Sequence, residues 1–402
     1  MKDIMSRSKE KRLAILIPKL SFGGAERIVS YLSLHAPENI DIHIILFKKS
    51  ITYPVKHTIY HIGDYNNILE AIKTFIRFNI LLTKIRPDAL LLFGAGQGLT
   101  FTLFSICKNK FYTIRNYFFE PYKRSPYHVL YFRFLISYAT RLLARKIIVI
   151  SHPIKYKLMQ KYKLPSYKID VIHNPVDISL ISKLALQELS EKYSSFFNNP
   201  VLINVGRMIY QKGQWHLIRL FKKVNEEIPE TRLAILGHGE LEEYLKKLVL
   251  DLGLSEKVLF LGWQDNPFKY MHRSTLFCLT SLWEGFSNVI LEALACGLPV
   301  MSADCLSGPR EILAPRTRYK VSKLTEPEYG EYGILMPIMD GRRYTAKEPL
   351  TWQEELWAEE IIKLLKNPVK LKEYRKKSLN RAKDFDVKKQ VNKYFKILFN
   401  DL

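Results

Sequence analysis

Two glutamates eight positions apart, Glu284 and Glu292, carry the densest chemical information in this sequence. Between them lie Gly285, Phe286, Ser287 and Asn288, then an apolar run with helical spacing. Ser287 or Asn288 suits a helix N-cap, which places Glu292 about one turn into a helix and Glu284 in the loop before it. Free N–H groups and the positive end of the helix dipole make such a terminus a site for a diphosphate. Carboxylates beside it suit sugar or ribose hydroxyls, because each accepts short hydrogen bonds. Solvated helix-end glutamates are the competing reading, and it loses ground because the neighbours are Gly, Ser and Asn rather than Lys or Arg.

A second segment offers the complementary charge. Asn204–Gly213 (NVGRMIYQKG) reads as a strand end, a loop and a helix start, with Arg207 and Lys212 in the loop. Two fixed cations there can stabilise a departing diphosphate without a metal. Gly206 permits close approach of backbone to ligand.

These elements need a scaffold, and the chain alternates short apolar strands with helical stretches in both halves. Strands are expected at 12–17, 42–47, 89–93, 111–114 and 147–151, with a long helix at 68–85. The second half repeats the rhythm at 201–205, 233–236, 258–261, 276–280 and 299–301. This is the pattern of two parallel, doubly wound sheets with ligands at the carboxyl ends of strands. The GAGQG after Phe93 is a strand-to-helix turn, since it lacks the GxGxxG spacing and a following acidic partner. Polar residues 188–199 read as a linker.

The segments together resemble the E-x7-E signature of retaining nucleotide-sugar glycosyltransferases of family 4, which have the GT-B fold. FGGAER (22–27), NVGRMIYQKG, LGHGE (236–240), LGWQDNP (261–267) and SGPREIL (307–313) occur in the order that family shows. The resemblance implies two Rossmann-like domains facing across a cleft, an acceptor domain at 1–185, a nucleotide-sugar domain at 186–375, and a helix at 376–402 returning to the first. It implies that Arg207 and Lys212 meet the diphosphate and that Glu284 contacts the donor sugar while Glu292 contacts the ribose. Backbone groups at Ser287, Asn288 and Val289 would lie at the diphosphate, with Gly237 shaping the same pocket. Trp263 and Gln264 would hold the base, although a packed loop aromatic and its polar neighbour explain them equally. Gly23 and Gly24 would face the pocket from the other domain. The histidine that many relatives carry after an N-terminal-domain strand is absent: Phe111–Ile114 runs into Arg115 and Asn116. Asn116 is the candidate catalytic residue there, and His173 reads as a turn residue. Same-face transfer assisted by the leaving phosphate oxygen makes a strong base less necessary.

Composition bounds the rest. The chain of 402 residues, 47% apolar, is long for one core and suits two domains. Cys107, Cys278, Cys296 and Cys305 show no CxxC spacing and read as reduced core residues. The net charge of +23 is polarised: residues 1–170 hold 28 Lys/Arg against 10 Asp/Glu, and 108–168 hold 14 against Glu120 alone. Lys123–Lys146, with Arg133, Arg141 and Arg145 toward one side of a helix and aromatics over much of the remainder, suits an anionic lipid surface; a domain helix with a solvated Arg stripe is the alternative. No uninterrupted apolar stretch reaches membrane-spanning length. The expectation is a cytoplasmic enzyme at the inner face of the cytoplasmic membrane. It would move a hexose or N-acetylhexosamine from a UDP-sugar to a polyprenyl-diphosphate-linked or other lipid-linked saccharide, with no cofactor and no metal. An epimerase or hydrolase of the same fold is the nearer rival. A nucleic-acid-binding protein is the farther one, and it leaves the glutamate pair without a purpose.

Overall fold

The computed structural model describes residues 10–21, 23–94, 97–115, 141, 143–317 and 324–399. The chain forms two compact units, residues 1–175 with 387–402, and residues 176–386.

In the first unit seven strands form one sheet: β1 (Lys11–Ile17), β2 (Ile40–Leu46), β3 (Thr58–His61), β4 (Ala89–Phe93), β5 (Lys110–Ile114), β6 (Lys146–Val149) and β7 (Ile169–Val171). Their order is β3-β2-β1-β4-β5-β6-β7, and every pairing is parallel. Strands covered on both faces must be apolar throughout, and ALLLF of β4 is buried at every position. The helix Val387–Phe399 completes this core: Val391, Tyr394 and Leu398 are buried with Leu13, Ile15 and Leu91, and the Tyr394 ring stacks on Phe93 with centroids 6.3 Å apart.

The second unit repeats the plan with β8 (Val201–Val205), β9 (Arg232–Leu236), β10 (Val258–Gly262), β11 (Leu276–Leu279), β12 (Val300–Ala303), β13 (Glu328–Tyr329) and β14 (Ile334–Met336). The order is β10-β9-β8-β11-β12-β14-β13, parallel except for the β13–β14 pair. In each sheet the strand order reverses once, between β1 and β4 and between β8 and β11. A crevice opens beyond the carboxyl ends of strands at such a reversal.

Several details depart from the sequence reading. The chain divides at 175/176 and 386/387 rather than at 185/186 and 375/376. The reason is packing: helix Ile178–Ala185 lies on Phe268–His272, and helix Pro368–Ala382 on Asn288–Ala295, so both belong to the second unit. The polar stretch read as a linker contains helix Glu191–Phe197, anchored by Phe197 and Tyr193 against Tyr270. Of the basic segment 123–146, residues 123–140 and 142 lie outside the described residues. Within the rest, Arg145 donates to the Asn109 side chain at 2.9 Å.

Candidate functional site

The site grows from the reversal of the second sheet. β8 and β11 are neighbours, paired Leu202 to Leu276, and each runs at its carboxyl end into a loop. The β8 loop passes through Gly206 and Arg207 to a short 3-10 turn, Tyr210–Lys212. The β11 loop passes through Thr280, Ser281 and Glu284 to the helix Asn288–Ala295.

The two loops are stitched together. The Thr280 hydroxyl donates to the carbonyls of Lys212 and Gly213, each at 3.1 Å, and Gln211 Nε2 donates to the Trp283 carbonyl at 2.7 Å. Leu282 N–H donates to the Gln211 carbonyl at 2.8 Å. At the centre Lys212 Nζ donates to Glu284 Oε1 at 2.6 Å, and the Ser281 hydroxyl donates to the same oxygen at 2.8 Å. Both side chains are nearly enclosed, 13% and 9% exposed, so the pair attracts far more strongly than a surface pair would. One carboxylate oxygen is thereby committed, and Oε2 of Glu284 is left to accept from another donor.

Glycine is required here for contact rather than flexibility alone. Gly237 has φ +128°, and a Cβ on it would lie 2.1 Å from the Gly206 carbonyl oxygen. Gly213 has φ +60°, and a Cβ there would lie 2.6 Å from the Thr280 carbonyl. Any side chain at either position would push the β8 loop off its place.

A buried charge cluster backs the Tyr210–Lys212 turn. Glu354 Oε1 lies 2.7 Å from His216 Nδ1 and accepts from Arg219 Nε at 3.0 Å, and all three side chains are at most 1% exposed. Burial pushes the Glu354 carboxyl up, but hydrogen bonds from His216 and Arg219 outweigh it and hold it below the usual range. Arg219 also donates to the carbonyls of Thr345 and Pro349, Trp215 Nε1 to Arg342 at 2.8 Å, and the Tyr210 hydroxyl to Gly341 at 2.8 Å. The irregular segment 337–351 is thus bolted to the helix that follows Lys212.

The expected residues can now be located. Gly206, Lys212, Gly237 and Glu284 converge, and Gly206 faces the Lys212 side chain, whose Cε would lie 3.2 Å from any Cβ placed there. Arg207 sits on the same loop, exposed. Ser287 occupies the N-cap of Asn288–Ala295, as expected, but its hydroxyl makes no cap bond and is buried without a hydrogen-bond partner among the described residues. Asn288 and Val289 open that helix, half-buried, and Glu292 lies within it, 5% exposed. Trp263 is 58% exposed beyond β10. Gln264 is turned into its own loop, donating to Leu261 O at 2.7 Å and accepting from the Tyr270 hydroxyl at 3.1 Å. Gly23 and Gly24 open helix Gly24–Leu34 of the first unit. Asn116 lies outside the described residues.

Residues that the sequence reading missed do much of the positioning: Ser281, Thr280 and Gln211, together with Asn204, whose side chain donates to the Cys278 carbonyl at 2.7 Å and accepts from Gln214. Their signal was position, since Thr280 and Ser281 directly follow a buried strand at its carboxyl end. Arg310 of SGPREIL is spent on structure, paired with Asp304 at 2.7 Å and Glu328 at 2.9 Å. A cavity of about 530 Å³ lies elsewhere, in the first unit, lined by Leu82, Arg86, Ile106 and Lys108 among others and by none of these site residues.

This architecture of paired doubly wound units is that of the GT-B transferases. A model of group 1 glycosyl transferases matches residues 187–321, and a model of glycosyltransferase family 4 matches residues 22–180. The chain is 36% identical over 289 residues to an uncharacterized glycosyltransferase of Methanocaldococcus jannaschii, covering 70% of this chain and 69% of that one. It is 27% identical over 390 residues, 94% of this chain and 96% of the other, to the N-acetylgalactosamine-N,N'-diacetylbacillosaminyl-diphospho-undecaprenol 4-alpha-N-acetylgalactosaminyltransferase of Campylobacter jejuni. Among solved structures, Anabaena HepE in complex with UDP and glucose superposes with a TM-score of 0.72 at 19% identity, over 98% of this chain and 100% of that one. The chain belongs to the family 4 glycosyltransferases of the GT-B fold.

Proposed function

We propose that the chain is a retaining, metal-independent transferase that moves a hexose or N-acetylhexosamine from a UDP-sugar to a lipid-linked saccharide. The observation that carries the reading is the buried Lys212–Glu284 pair beside the exposed Arg207. Lys212 and Arg207 supply two preorganised cations for charge growing on a departing diphosphate. The free oxygen of Glu284 suits a sugar hydroxyl, and Glu292 suits the ribose. The unpartnered Ser287 hydroxyl and the helix terminus it caps suit a phosphate oxygen. Trp263 offers an exposed ring for the base; Gln264 would have to give up its present bonds to contribute. The relatives' names support the acceptor class, since the Campylobacter enzyme acts on a diphospho-undecaprenol-linked saccharide. An Escherichia coli relative, 33% identical over 193 residues, is a UDP-Gal:alpha-D-GlcNAc-diphosphoundecaprenol alpha-1,3-galactosyltransferase. A lipid-linked acceptor also calls for attachment at a membrane face.

The test is turnover. Arg207→Ala and Lys212→Ala are each expected to lower single-turnover rates by about 10²–10³, the usual loss when one stabiliser of developing charge is removed. Rates within threefold of wild type for both would sink the assignment. Calorimetry with UDP alone separates the carboxylates: Glu292→Gln is expected to weaken UDP, and Glu284→Gln to leave it nearly unchanged while transfer fails. Activity abolished by a chelator and restored by Mg²⁺ would contradict metal independence. Product analysis by NMR reads the anomeric configuration, and inversion would refute retention.

A further inference from the structure

Helix Ile68–Ile85 of the first unit is divided lengthwise in an unusual way. Thr74, Phe78, Leu82 and Ile85 are buried against the unit. Ile68, Leu69, Ile72, Ile76 and Ile80 are 79, 72, 52, 51 and 51% exposed. At about 100° per residue these five span an arc of roughly 120° that faces away from the core. Lys73, Arg77 and Lys84, all exposed, fall together along one border of that arc. The one acid of the helix, Glu70, is engaged at its start, accepting from Asn66 N–H at 3.0 Å. The apolar surface continues beyond the helix. Ile106 N–H donates to the Asn79 side chain at 3.0 Å, and Phe104 and Ile106 are themselves 70% and 54% exposed. No helix among the described residues is long and apolar enough to cross a membrane, so the stripe is an outward face and not a span.

Seven large exposed apolar side chains gathered in one patch mark an interaction surface. Apolar side chains flanked along one edge by cations match an interfacial helix lying in the head-group plane of a bilayer. We propose that this face, Ile68 to Ile80 with Phe104 and Ile106, docks the chain on an anionic lipid surface, with Lys73, Arg77 and Lys84 meeting the head groups. Charge complementarity selects lipid over a second copy of the chain. Residues 1–170 hold 28 basic against 10 acidic side chains, so two such faces repel each other and an anionic surface attracts both. The assignment rests on the membrane attachment proposed above and locates a docking face on described residues, whereas most of the 123–146 segment lies outside them.

Flotation of the full chain with phosphatidylglycerol-containing vesicles tests it, with phosphatidylcholine vesicles as the neutral comparison. Wild type is expected to float with the anionic vesicles at low salt and to be released in part at high salt. Lys73→Gln/Arg77→Gln/Lys84→Gln is expected to lower partitioning about a hundredfold, since each cation near a charged bilayer contributes about a fivefold gain. Leu69→Ser/Ile72→Ser/Ile76→Ser is expected to lose the salt-resistant remainder. Because all six side chains are exposed, thermal melting of both variants should match wild type, which separates lost docking from lost folding. An environment-sensitive probe on Ile76→Cys should shift to the blue with anionic vesicles only. If wild type does not float, membrane attachment itself is wrong. If wild type floats and both triple variants float equally, attachment stands and this face is not its cause. A dimer by light scattering that Ile72→Ser dissociates, with no vesicle binding, would give the face to a second copy and overturn the proposal.

Discussion

The two units share one scaffold and use it in opposite directions. Each is a seven-stranded sheet with a single reversal of strand order, β1 against β4 in the first and β8 against β11 in the second. The second unit turns a set of its charged side chains inward: Lys212, Glu284, Arg219, Glu354, Arg310 and Asp304 are all buried or nearly so, and all are paired, while others such as Lys222 and Lys247 stay exposed. The first unit places much of its charge outside, on exposed lysines and arginines, beside a helix with its isoleucines uncovered. The lesson is that the fold sets where a crevice can form, while the distribution of charge decides what each copy of the fold does. Buried pairs tie loops together where salt reaches them little, and exposed ones act on partners through a field that salt screens.

That contrast can be broken most strongly at the buried cluster. Arg219→Ala leaves Glu354 enclosed without its cation and strips carbonyls in 337–351 of their donor. The expected cost is about 3–5 kcal/mol, the range for removing one partner of a buried pair. Hydrogen exchange should show faster exchange across the second unit and an unchanged first unit; equal loss in both would mean the units do not melt separately.

The first unit should answer to packing instead. Leu398, fully buried in its core, has no charged neighbour role to lose, and Leu398→Ala is expected to cost about 2–5 kcal/mol by the cavity it leaves. Exchange should rise in β1, β2 and β4 while β8 and β11 stay protected.

Smaller effects sharpen the same division. Thr351 forms a full capping box with Glu354 at the start of Trp352–Leu365, whereas Asn67 caps Ile68–Ile85 by accepting from Glu70 N–H. Either cap changed to alanine is expected to cost about 1 kcal/mol, each in its own unit. In thermal melts the two should cost about the same, because each loses one side-chain acceptor for a backbone N–H, and the Glu354 carboxylate keeps its bond from the Thr351 backbone N–H.

The smallest effect is on pH. Burial lowers the His43 pKa from its ordinary 6.5, against an opposing pull from Asp41. Protonation therefore favours the unfolded chain, and the stability this group contributes is present above about pH 6.5 and is lost as pH falls below it. Glu354 is lowered from 4.5, so its contribution is present above about pH 4.5 and is lost only as pH falls further. Exchange protection on acidification should fall first around β2 and later around Trp352–Leu365. The reverse order would contradict both assignments.

How much of this was legible in the sequence varies by element. ALLLF at 89–93 could be read directly, because a strand buried on both faces has no alternation to confuse it. Thr58–His61 could not: as an edge strand, half-exposed, it carries neither a continuous apolar run nor a clean alternation. Helix Ile68–Ile85 was visible to the residue, but not which side of it is covered, since isoleucines and phenylalanines occur on both. Glu191–Phe197 was hidden by composition, because it buries only Phe197. In the site, Glu284, Lys212 and Gly237 announced themselves by motif. The shared bond of Lys212 and Ser281 on one oxygen of Glu284 did not, because 72 positions separate the lysine from the glutamate and only the pairing of β8 with β11 closes that gap.

The return of helix Val387–Phe399 to the first unit has a consequence for synthesis. The ribosome delivers β1 to β7 first, yet Val391, Tyr394 and Leu398, which seal that sheet, emerge only after residues 176–386 have been made. At about 5–20 residues per second the nascent first unit waits roughly 10–40 s with one side of its core uncovered. During that interval Leu13, Ile15 and Leu91 are open to chaperones and to neighbouring chains, so the half that is born first is the half that matures last.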